Sequence, residues 1–413
     1  MNILNVCPGP VYPPISGGTL RVHYLNLIAA NYGNNVYLFT QDVRNINEIK
    51  KMNFIKKISI NNNYTEYRYI NIFSLMVNYI TVSLGVAKIF TGNILDIFKP
   101  EILYKLMKKC DIIKVENPWQ FNHIFYKKPD DIPIVLVEHN AEFDRFMSFK
   151  DPLFLKPIKK LLINIAIEKE KFAVENADII FTVSEVDKNK LIKKYRVKKS
   201  KFYVIPNGVD ISRFTTPTPM EKDRYKCRII GDSSKKVILF VGSLYYPNIE
   251  AVKFIINKIA PEVLKHYKNC LFLIVGSVGN YFKNISLNKN IKNIIITGKV
   301  RDVIPYFKIA DIAINPIISG SGTNIKLLEY LASGIPTVTT SFGMRGIEVE
   351  PNKHVIVEDI EDFSEGILEL LSDEDTQRRL SINGRKLVEE KYDWEKISKE
   401  ELRILNQVCN MNK

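Results

Sequence analysis

The chain has 413 residues, more than one hydrophobic core usually supports, so two domains are expected. A hydrophobic fraction of 46% and a charged fraction of 25% are ordinary for a folded protein and argue against a disordered one. The five cysteines are scattered and form no CxxC or Cys/His cluster, which argues against a disulfide framework and a zinc site and favours the cytoplasm.

The net charge is +14, because 59 Lys and Arg residues outnumber 45 Asp and Glu residues. Such a charge suits nucleic acid, an anionic membrane face or an anionic substrate. A composition biased towards Lys, Asn and Ile explains it without any binding partner. No nucleic-acid motif and no platform of basic and aromatic residues accompanies the charge, so we expect no nucleic-acid partner.

Strands and helices alternate through the first half, which predicts a parallel sheet flanked by helices. The predicted strands are residues 1–7, 35–40, 112–115, 134–138 and 179–183, with a helix at about 19–31. The amino terminus has no basic region followed by a long apolar stretch, so no signal peptide is predicted.

The most apolar stretch is residues 69–90, which is long enough to cross a bilayer. Polar residues interrupt it, and we predict a buried or interfacial helix pair instead of a span. An interfacial helix, with Leu75 and Val77 in lipid, would suit a peripheral enzyme on the cytoplasmic face of a membrane. Burial in a protein core explains the same residues.

Residues 206–236 are rich in Pro, Lys, Asp and Ser and are predicted to be a linker. The alternation then restarts. The second half is predicted to contain strands at 237–241, 271–275, 294–297, 312–315 and 337–340, helices at 249–267, 303–309 and 324–332, and two closing helices. Two similar α/β halves predict a ligand in a cleft at the carboxyl ends of the strands.

The most informative segment is residues 315–340, NPIISGSGTNIKLLEYLASGIPTVTT. A strand ends in the loop Gly320-Ser321-Gly322-Thr323, and a helix follows at once with Thr323 as its predicted N-cap. Glycines before a helix let backbone N–H groups approach an anion, and the helix dipole favours negative charge there. We therefore predict an anion site that includes Lys326 in the first turn and Glu329 one turn further on.

Lys326 and Glu329 could instead form an ordinary surface ion pair. A cation in the first turn opposes the helix dipole, however, and Lys before Glu is the poorer orientation for such a pair. A phosphate at the helix start removes this difficulty. Lys326 is then its counter-charge, and Glu329 accepts hydrogen bonds from sugar hydroxyls.

The segment resembles the donor-binding signature of family 4 retaining glycosyltransferases, which have the GT-B fold of two Rossmann-like α/β domains facing across a cleft. Other motifs match that family in order along the whole chain: PPISGG at 13–18, EHN at 138–140, PNGVD at 206–210 and VGSL at 241–244. The resemblance implies an acceptor-side domain, 1–205, and a donor domain, 206–390. It also implies a last helix, 391–413, that packs back on the first domain.

The resemblance further implies an enzyme that moves a hexosyl-type sugar from a nucleoside diphosphate sugar, of UDP or GDP type, to an acceptor hydroxyl with retention. The expected acceptor is a glycan or a lipid-linked molecule in cell-surface polysaccharide, glycolipid or glycoprotein synthesis. No metal and no further cofactor are expected. The absence of a convincing DxD-like carboxylate pair agrees with that expectation.

The same resemblance gives roles to individual residues. Lys326 would hold the departing phosphates, Glu329 would accept from the ribose hydroxyls, and His139 would touch the donor sugar or the acceptor. Taken alone, His139 at the end of an apolar strand is more typical of a buried histidine. The expected donor-site residues are Gly17, Gly18, Gly242, Ser243, Gly298, Val300, Gly320, Ser321, Gly322, Thr323, Asn324, Lys326 and Glu329. The expected acceptor-site residues are Glu116, Trp119, Glu138 and Glu142.

The chain departs from the family pattern near both predicted phosphate contacts. A second glutamate commonly lies eight residues before Glu329, where this chain has Ser321, and a basic residue commonly stands where it has Ser243. Residues 245–248, YYPN, replace the usual basic loop, which leaves Lys326 as the main phosphate cation. The rival hypotheses are a sugar-nucleotide epimerase on the same fold and a non-catalytic basic binding protein.

Overall fold

A computed structural model describes residues 1–42, 53–84, 86–147, 156–282, 293–320 and 322–411. The chain forms two compact units. The first unit is Met1–Pro206 together with Trp394–Lys413, and the second is Asn207–Asp393. Each unit has its own hydrophobic core and its own sheet.

The described residues of the first unit contribute eight strands to one sheet. They are β1 (Asn2–Cys7), β2 (Asn35–Asp42), β3 (Asn53–Ser59), β4 (Tyr64–Asn71), β5 (Ile112–Glu116), β6 (Ile134–Glu138), β7 (Ile179–Thr182) and β8 (Phe202–Val204). Their order is β3-β4-β2-β1-β5-β6-β7-β8, with only the β3–β4 pair antiparallel. β5 and β6 are buried at every residue, as expected for parallel strands with helices on both faces.

Helices cover this sheet and connect its strands. The first eight are α1 (Gly17–Asn31), α2 (Ile72–Ser83), α3 (Thr91–Phe98), α4 (Glu101–Met107), α5 (Phe121–Lys127), α6 (Glu142–Met147), α7 (Lys156–Asn176) and α8 (Glu185–Tyr195). Since β1, β5 and β6 are neighbours and parallel, the residues that follow them meet at one edge of the sheet.

Helix α2 is the one helix among the described residues of the apolar stretch 69–90, which begins with the end of β4, so the predicted helix pair is wrong. Helix α2 begins where the Asn71 side chain accepts the Ser74 N–H at 3.0 Å, and it is only 12 residues long. No helix within the described ranges combines the length and apolar character needed to span a bilayer. Leu75, which we expected to face lipid if the helix were interfacial, is buried in the protein instead, so that choice of face is wrong.

The described part of the second unit contributes six strands to an all-parallel sheet. They are β9 (Lys236–Val241), β10 (Cys270–Val275), β11 (Ile294–Gly298), β12 (Ile312–Asn315), β13 (Thr337–Thr339) and β14 (Ile356–Val357), in the order β11-β10-β9-β12-β13-β14. The helices are α9 (Pro219–Ile230), α10 (Tyr246–Phe254), α11 (Ala260–His266), α12 (Gly279–Phe282), α13 (Ile304–Ile309), α14 (Ile325–Ala332), α15 (Phe363–Ser372) and α16 (Glu374–Lys391).

The segment predicted to be a linker, residues 206–236, contains the helix α9. Thr218 and Glu221 form a capping box at its start, in which each side chain accepts the backbone N–H of the other residue. Gly231, with φ +74°, ends it in the left-handed conformation. These local signals were present in the sequence, and the high polarity of the segment concealed them.

The chain closes with three helices among the described residues after β14, not the two we predicted. Asp373 separates α15 from α16, because its side chain accepts the Thr376 N–H and starts a new helix. The third is α17 (Trp394–Met411), which belongs to the first unit. Its Trp394 ring stacks on Tyr24 of α1, with the ring centroids 5.8 Å apart.

Candidate functional site

The first unit contains a cavity of about 350 Å³ at the carboxyl edge of its sheet. The cavity is bounded by the loop after β1, the start of α1, the turn at residues 87–88 and the residues that follow β5 and β6. Four residues of the sequence-predicted set line it: Gly18, Trp119, His139 and Glu142.

His139 follows β6 and is fixed by Glu116, the last residue of β5. His139 Nε2 lies 2.6 Å from Glu116 Oε2, while Glu116 Oε1 accepts from Asn5 Nδ2 at 3.0 Å. Burial alone would raise the pKa of Glu116, but the His139 hydrogen bond and the nearby Lys114 and Arg21 outweigh burial and lower the pKa to about 2. Glu116 therefore stays ionised and orients the His139 imidazole. Both carboxylate oxygens of Glu116 have hydrogen-bond partners.

The other predicted residues of the first unit lie around this pair. Gly17 begins α1, and a Cβ on Gly18 would lie 3.7 Å from Nδ1 of the histidine, so this ring nitrogen faces the glycine loop. Trp119 and Glu142 are buried residues at the cavity. Glu138 ends β6 and is fully buried, away from the cavity lining.

Lys88 is a cavity residue that the motifs did not predict. Its Nζ lies only 2.7 Å from the position that a Cβ on Gly9 would take. Lys88 was visible in the sequence as the single charged residue of the stretch 69–90. Burial raises the pKa of the neighbouring Cys7 thiol to about 12 despite the charge of Lys88, so the thiol stays protonated and is not a nucleophile.

In the second unit, three strand ends approach one another through glycines. Gly276 follows β10 with φ +110°, and a Cβ on it would lie 2.3 Å from the carbonyl oxygen of Gly242. The Gly276 N–H donates to the Gly298 carbonyl at 3.1 Å, and Val300 packs on the core below. Gly276 was not predicted, although it directly follows an apolar strand just as Gly242 does.

Lys326, the second residue of α14, reaches back over β9. Its Nζ lies 4.5 Å from the centroid of the Phe240 ring and donates to Asn248 Oδ1. Asn248 in turn donates from Nδ2 to the Ser243 carbonyl at 2.9 Å. Lys326 is thus held by Asn248 and not by an ion pair with Glu329. Asn248 was not among the predicted site residues, because a neutral side chain at this position gave no sign of a phosphate contact.

The two titratable groups on α14 both have shifted pKa values. Burial lowers the pKa of Lys326 to about 7, against the opposing effect of Glu329. Burial also raises the pKa of Glu329 to about 7, against Arg213 and Lys326. A desolvated ammonium without an ionised partner in contact gains stability from a bound anion, and shifted groups of this kind cluster at functional sites.

Arg345 holds the glycine loop that precedes α14, and it was not among the predicted site residues. Its guanidinium lies over the Phe342 ring, donates to the Gly322 carbonyl at 2.9 Å and approaches the Gly320 carbonyl at 3.5 Å. Because C=O and N–H point in opposite directions across a trans peptide, this contact turns the Thr323 N–H away from Arg345. Arg345 therefore sets the orientation of a loop amide.

The start of α14 differs from the predicted cap. Asn324, not Thr323, precedes the helix, and it makes no side-chain capping bond. Thr323 Oγ1 accepts from Asn207, and Asn324 donates to the Gly343 carbonyl at 2.9 Å. The first-turn N–H groups are therefore left without a capping side chain, which suits an anionic ligand. Ser321 lies outside the described residues.

The start of α14 thus combines N–H groups without a capping side chain, an oriented loop amide and a lysine with a lowered pKa, a combination that favours an anionic ligand. The described residues hold no group of three or more His, Cys, Asp or Glu side chains that could bind a metal ion.

Known protein families match both halves of the chain. Residues 30–213 match "Glycosyltransferase Family 4", and residues 235–373 match "Glycosyl transferases group 1". A solved structure, the sucrose-phosphate synthase of Thermosynechococcus elongatus, superposes with a TM-score of 0.71 over 100% of both chains, at 15% identity. This structural likeness gives the fold: two Rossmann-like domains of the GT-B type.

Curated relatives match at low identity. A GDP-mannose-dependent monoacylated alpha-(1-6)-phosphatidylinositol monomannoside mannosyltransferase of Corynebacterium glutamicum is 28% identical over 51% of this chain and 60% of its own length. An uncharacterized glycosyltransferase of Methanocaldococcus jannaschii is 23% identical over 98% of this chain and 99% of its own. The match thus extends over the full length of one relative and over less than two thirds of the other.

Proposed function

Since the chain belongs to glycosyltransferase family 4, we propose that it moves a hexosyl group from a nucleoside diphosphate sugar to an acceptor hydroxyl with retention at the anomeric carbon. The observation that carries this proposal is the Lys326 ammonium, which Asn248 and the Phe240 ring hold beside the uncapped start of α14. A diphosphate supplies negative charge, which both the Lys326 ammonium and the free N–H groups at a helix start attract.

In the proposed reaction the difficult step is cleavage of the bond between the sugar and the diphosphate. Lys326 and the amides at the start of α14 stabilise the charge that develops on the departing phosphate. Glu329 accepts hydrogen bonds from the ribose hydroxyls. Such a site neutralises the diphosphate without a metal ion.

The acceptor attacks from the same face that the diphosphate leaves, because the sequence suggests no carboxylate as a covalent nucleophile. The first-unit cavity, with His139 held by Glu116, is the proposed place for the acceptor and the transferred sugar. The mannosyltransferase relative is named for a phosphatidylinositol mannoside, and this supports a glycolipid acceptor. Isolation of a covalent glycosyl-enzyme would contradict the same-face step.

The donor pocket is tested by thermal unfolding in the presence of UDP, GDP, ADP or CMP. A ligand that binds only the folded protein raises the unfolding midpoint. We expect one nucleoside diphosphate, UDP or GDP, to raise it, and the shift to be lost in Lys326→Ala and Glu329→Ala. If none of the four nucleotides stabilises the wild-type protein, the proposed donor site is wrong.

The affinity for that diphosphate should depend on pH through Lys326. With a pKa of about 7 the free ammonium is charged below pH 7 and loses its proton as pH rises, whereas the bound anion favours the charged form. The Kd should therefore rise about tenfold per pH unit above pH 7. Isothermal titration between about pH 7 and 9, in two buffers of different ionisation enthalpy, measures both Kd and proton uptake.

Lys326→Arg is the control for this pH dependence, because a guanidinium stays charged over the whole range. Its Kd should be flat with pH and its binding should take up no proton. A wild-type Kd that is equally flat would show that Lys326 is charged before the ligand arrives.

A further inference from the structure

Helix α2 has its polar and apolar faces reversed relative to a helix of a globular core. Its buried residues include Ser74, Asn78 and Thr81, each under 9% exposed. Large apolar side chains point to solvent instead: Phe73 (42% exposed), Met76 (59%), Tyr79 (79%), Ile80 (58%) and Val82 (54%). Several of these recur at helical spacing, so they form one continuous outer stripe.

The polar side of α2 faces inward because the protein uses it. Asn78 Oδ1 accepts the Lys88 backbone N–H at 3.2 Å, and Thr81 Oγ1 donates to the Asn78 carbonyl. The Asn78 contact holds the turn that carries Lys88 into the first-unit cavity. With its polar side used in this way, the helix is left with its apolar side outward.

The part of the outer stripe on α2 carries no charge, and the stripe continues onto α3, where the exposed Asp96 is bonded to His123. None of the 12 residues of α2 is Lys, Arg, Asp or Glu. Phe73 stacks on Phe98 of α3 with centroids 5.3 Å apart, and α3 adds Ile97, which is 69% exposed. Lys99 is exposed directly after α3. Large exposed apolar side chains that lie side by side, as Phe73, Met76, Tyr79, Ile80, Val82 and Ile97 do, are typical of an interaction site.

The positive charge of the chain is concentrated in the unit that carries this stripe. The first unit has 34 Lys and Arg residues against 22 Asp and Glu, so it holds +12 of the net +14. The second unit, which contains the proposed donor site, is almost neutral. A bias in composition would spread the charge over both units, and it does not explain this division.

We propose that α2 and the end of α3 dock the first unit on a bilayer that contains anionic lipid. The apolar stripe enters the acyl boundary, Tyr79 keeps its hydroxyl at headgroup level, and the surrounding basic unit is attracted by the lipid charge. The stripe offers a protein partner few directional polar groups. Attachment of this kind does not depend on which sugar is transferred.

The test is vesicle flotation of the full chain with phosphatidylcholine vesicles, with and without phosphatidylglycerol. The wild-type protein should float with the anionic vesicles, and added NaCl should weaken this binding. The double variant Met76→Asp/Ile80→Asp should lower the partition coefficient at least tenfold.

The matched control is Met220→Asp/Ile382→Asp in the second unit. It changes the same residue types at similar exposure (73% and 57%) and adds the same two negative charges. It should float like the wild type. Equal loss in both double variants would mean that net charge alone matters and would overturn the docking site.

Size-exclusion chromatography with light scattering tests the alternative that the stripe binds a second copy of this chain and not a bilayer. If the wild type is a dimer that Met76→Asp/Ile80→Asp dissociates, and neither floats, the stripe is a protein interface and the proposal is wrong. Thermal stabilisation by the nucleotide should be unchanged in both double variants, so attachment and donor binding can fail separately.

Discussion

Replacing Lys326 with alanine should reduce the rate of sugar transfer by about 10²–10³, the usual effect of removing one group that stabilises developing negative charge. The loss should be large here because the chain has Ser243 and the uncharged segment YYPN at 245–248 where the family resemblance leads us to expect basic residues. Asn248 holds the Lys326 ammonium but carries no charge of its own. The measurement is kcat with saturating donor, so that weaker donor binding does not obscure the chemical step.

Lys258→Ala is the matched control for this variant. Lys258 also lies over a phenylalanine ring, Phe254 at 5.8 Å, but on a helical surface of the second unit away from the strand ends. Its removal should leave kcat unchanged. A loss below tenfold for Lys326→Ala would mean that the loop amides, oriented by Arg345, carry most of the stabilisation.

Replacing Glu401 with leucine should lower the free energy of unfolding of the first unit by about 3–5 kcal/mol, the usual effect of leaving a buried charge without its partner. Glu401 Oε1 on α17 lies 2.7 Å from Lys114 Nζ on β5, and both side chains are at most 2% exposed. The measurement is urea unfolding followed by tryptophan fluorescence. Both tryptophans, Trp119 and Trp394, lie in the first unit, so the signal reports on that unit alone.

The double variant Lys114→Met/Glu401→Leu separates the pair from the packing around it. Removing both charges should restore most of the lost stability, because hydrophobic residues of similar size replace buried ion pairs well. If the double variant is as unstable as Glu401→Leu, the instability of Glu401→Leu does not come from an unpaired charge on Lys114.

The sequence predicted most of the strands, because buried parallel strands are short, continuous apolar runs, but it missed β3, β4, β8 and β14. VILFV and LFLIV, for example, lie within β9 and β10. It also predicted the loop before α14, since a glycine-rich turn between a strand and a helix is typical of an anion-binding loop. Helix α9 was missed because its surface is polar, although Thr218 and Glu221 marked its start.

The contacts that shape the two sites could not be predicted in the same way. Arg345 and Asn248 are distant in sequence from the residues they hold, and neither has a distinctive local pattern. The sequence also could not predict that the apolar side of α2 faces outward, because a hydropathy pattern assigns the apolar side of a helix to the core. Here Asn78 is needed inside to fix the turn at Lys88, and this tertiary contact overrides the pattern.

The discontinuity of the first unit has a consequence for biosynthesis. Its last helix is made only after residues 207–393 have been synthesised, so Lys114 and the surface of α1 wait for their partners while the whole second unit is made. A nascent chain therefore exposes an unfinished core for most of its synthesis, and a product that stops before Trp394 cannot complete it. Termination before Trp394 should therefore yield a chain for proteolysis, not a shortened enzyme.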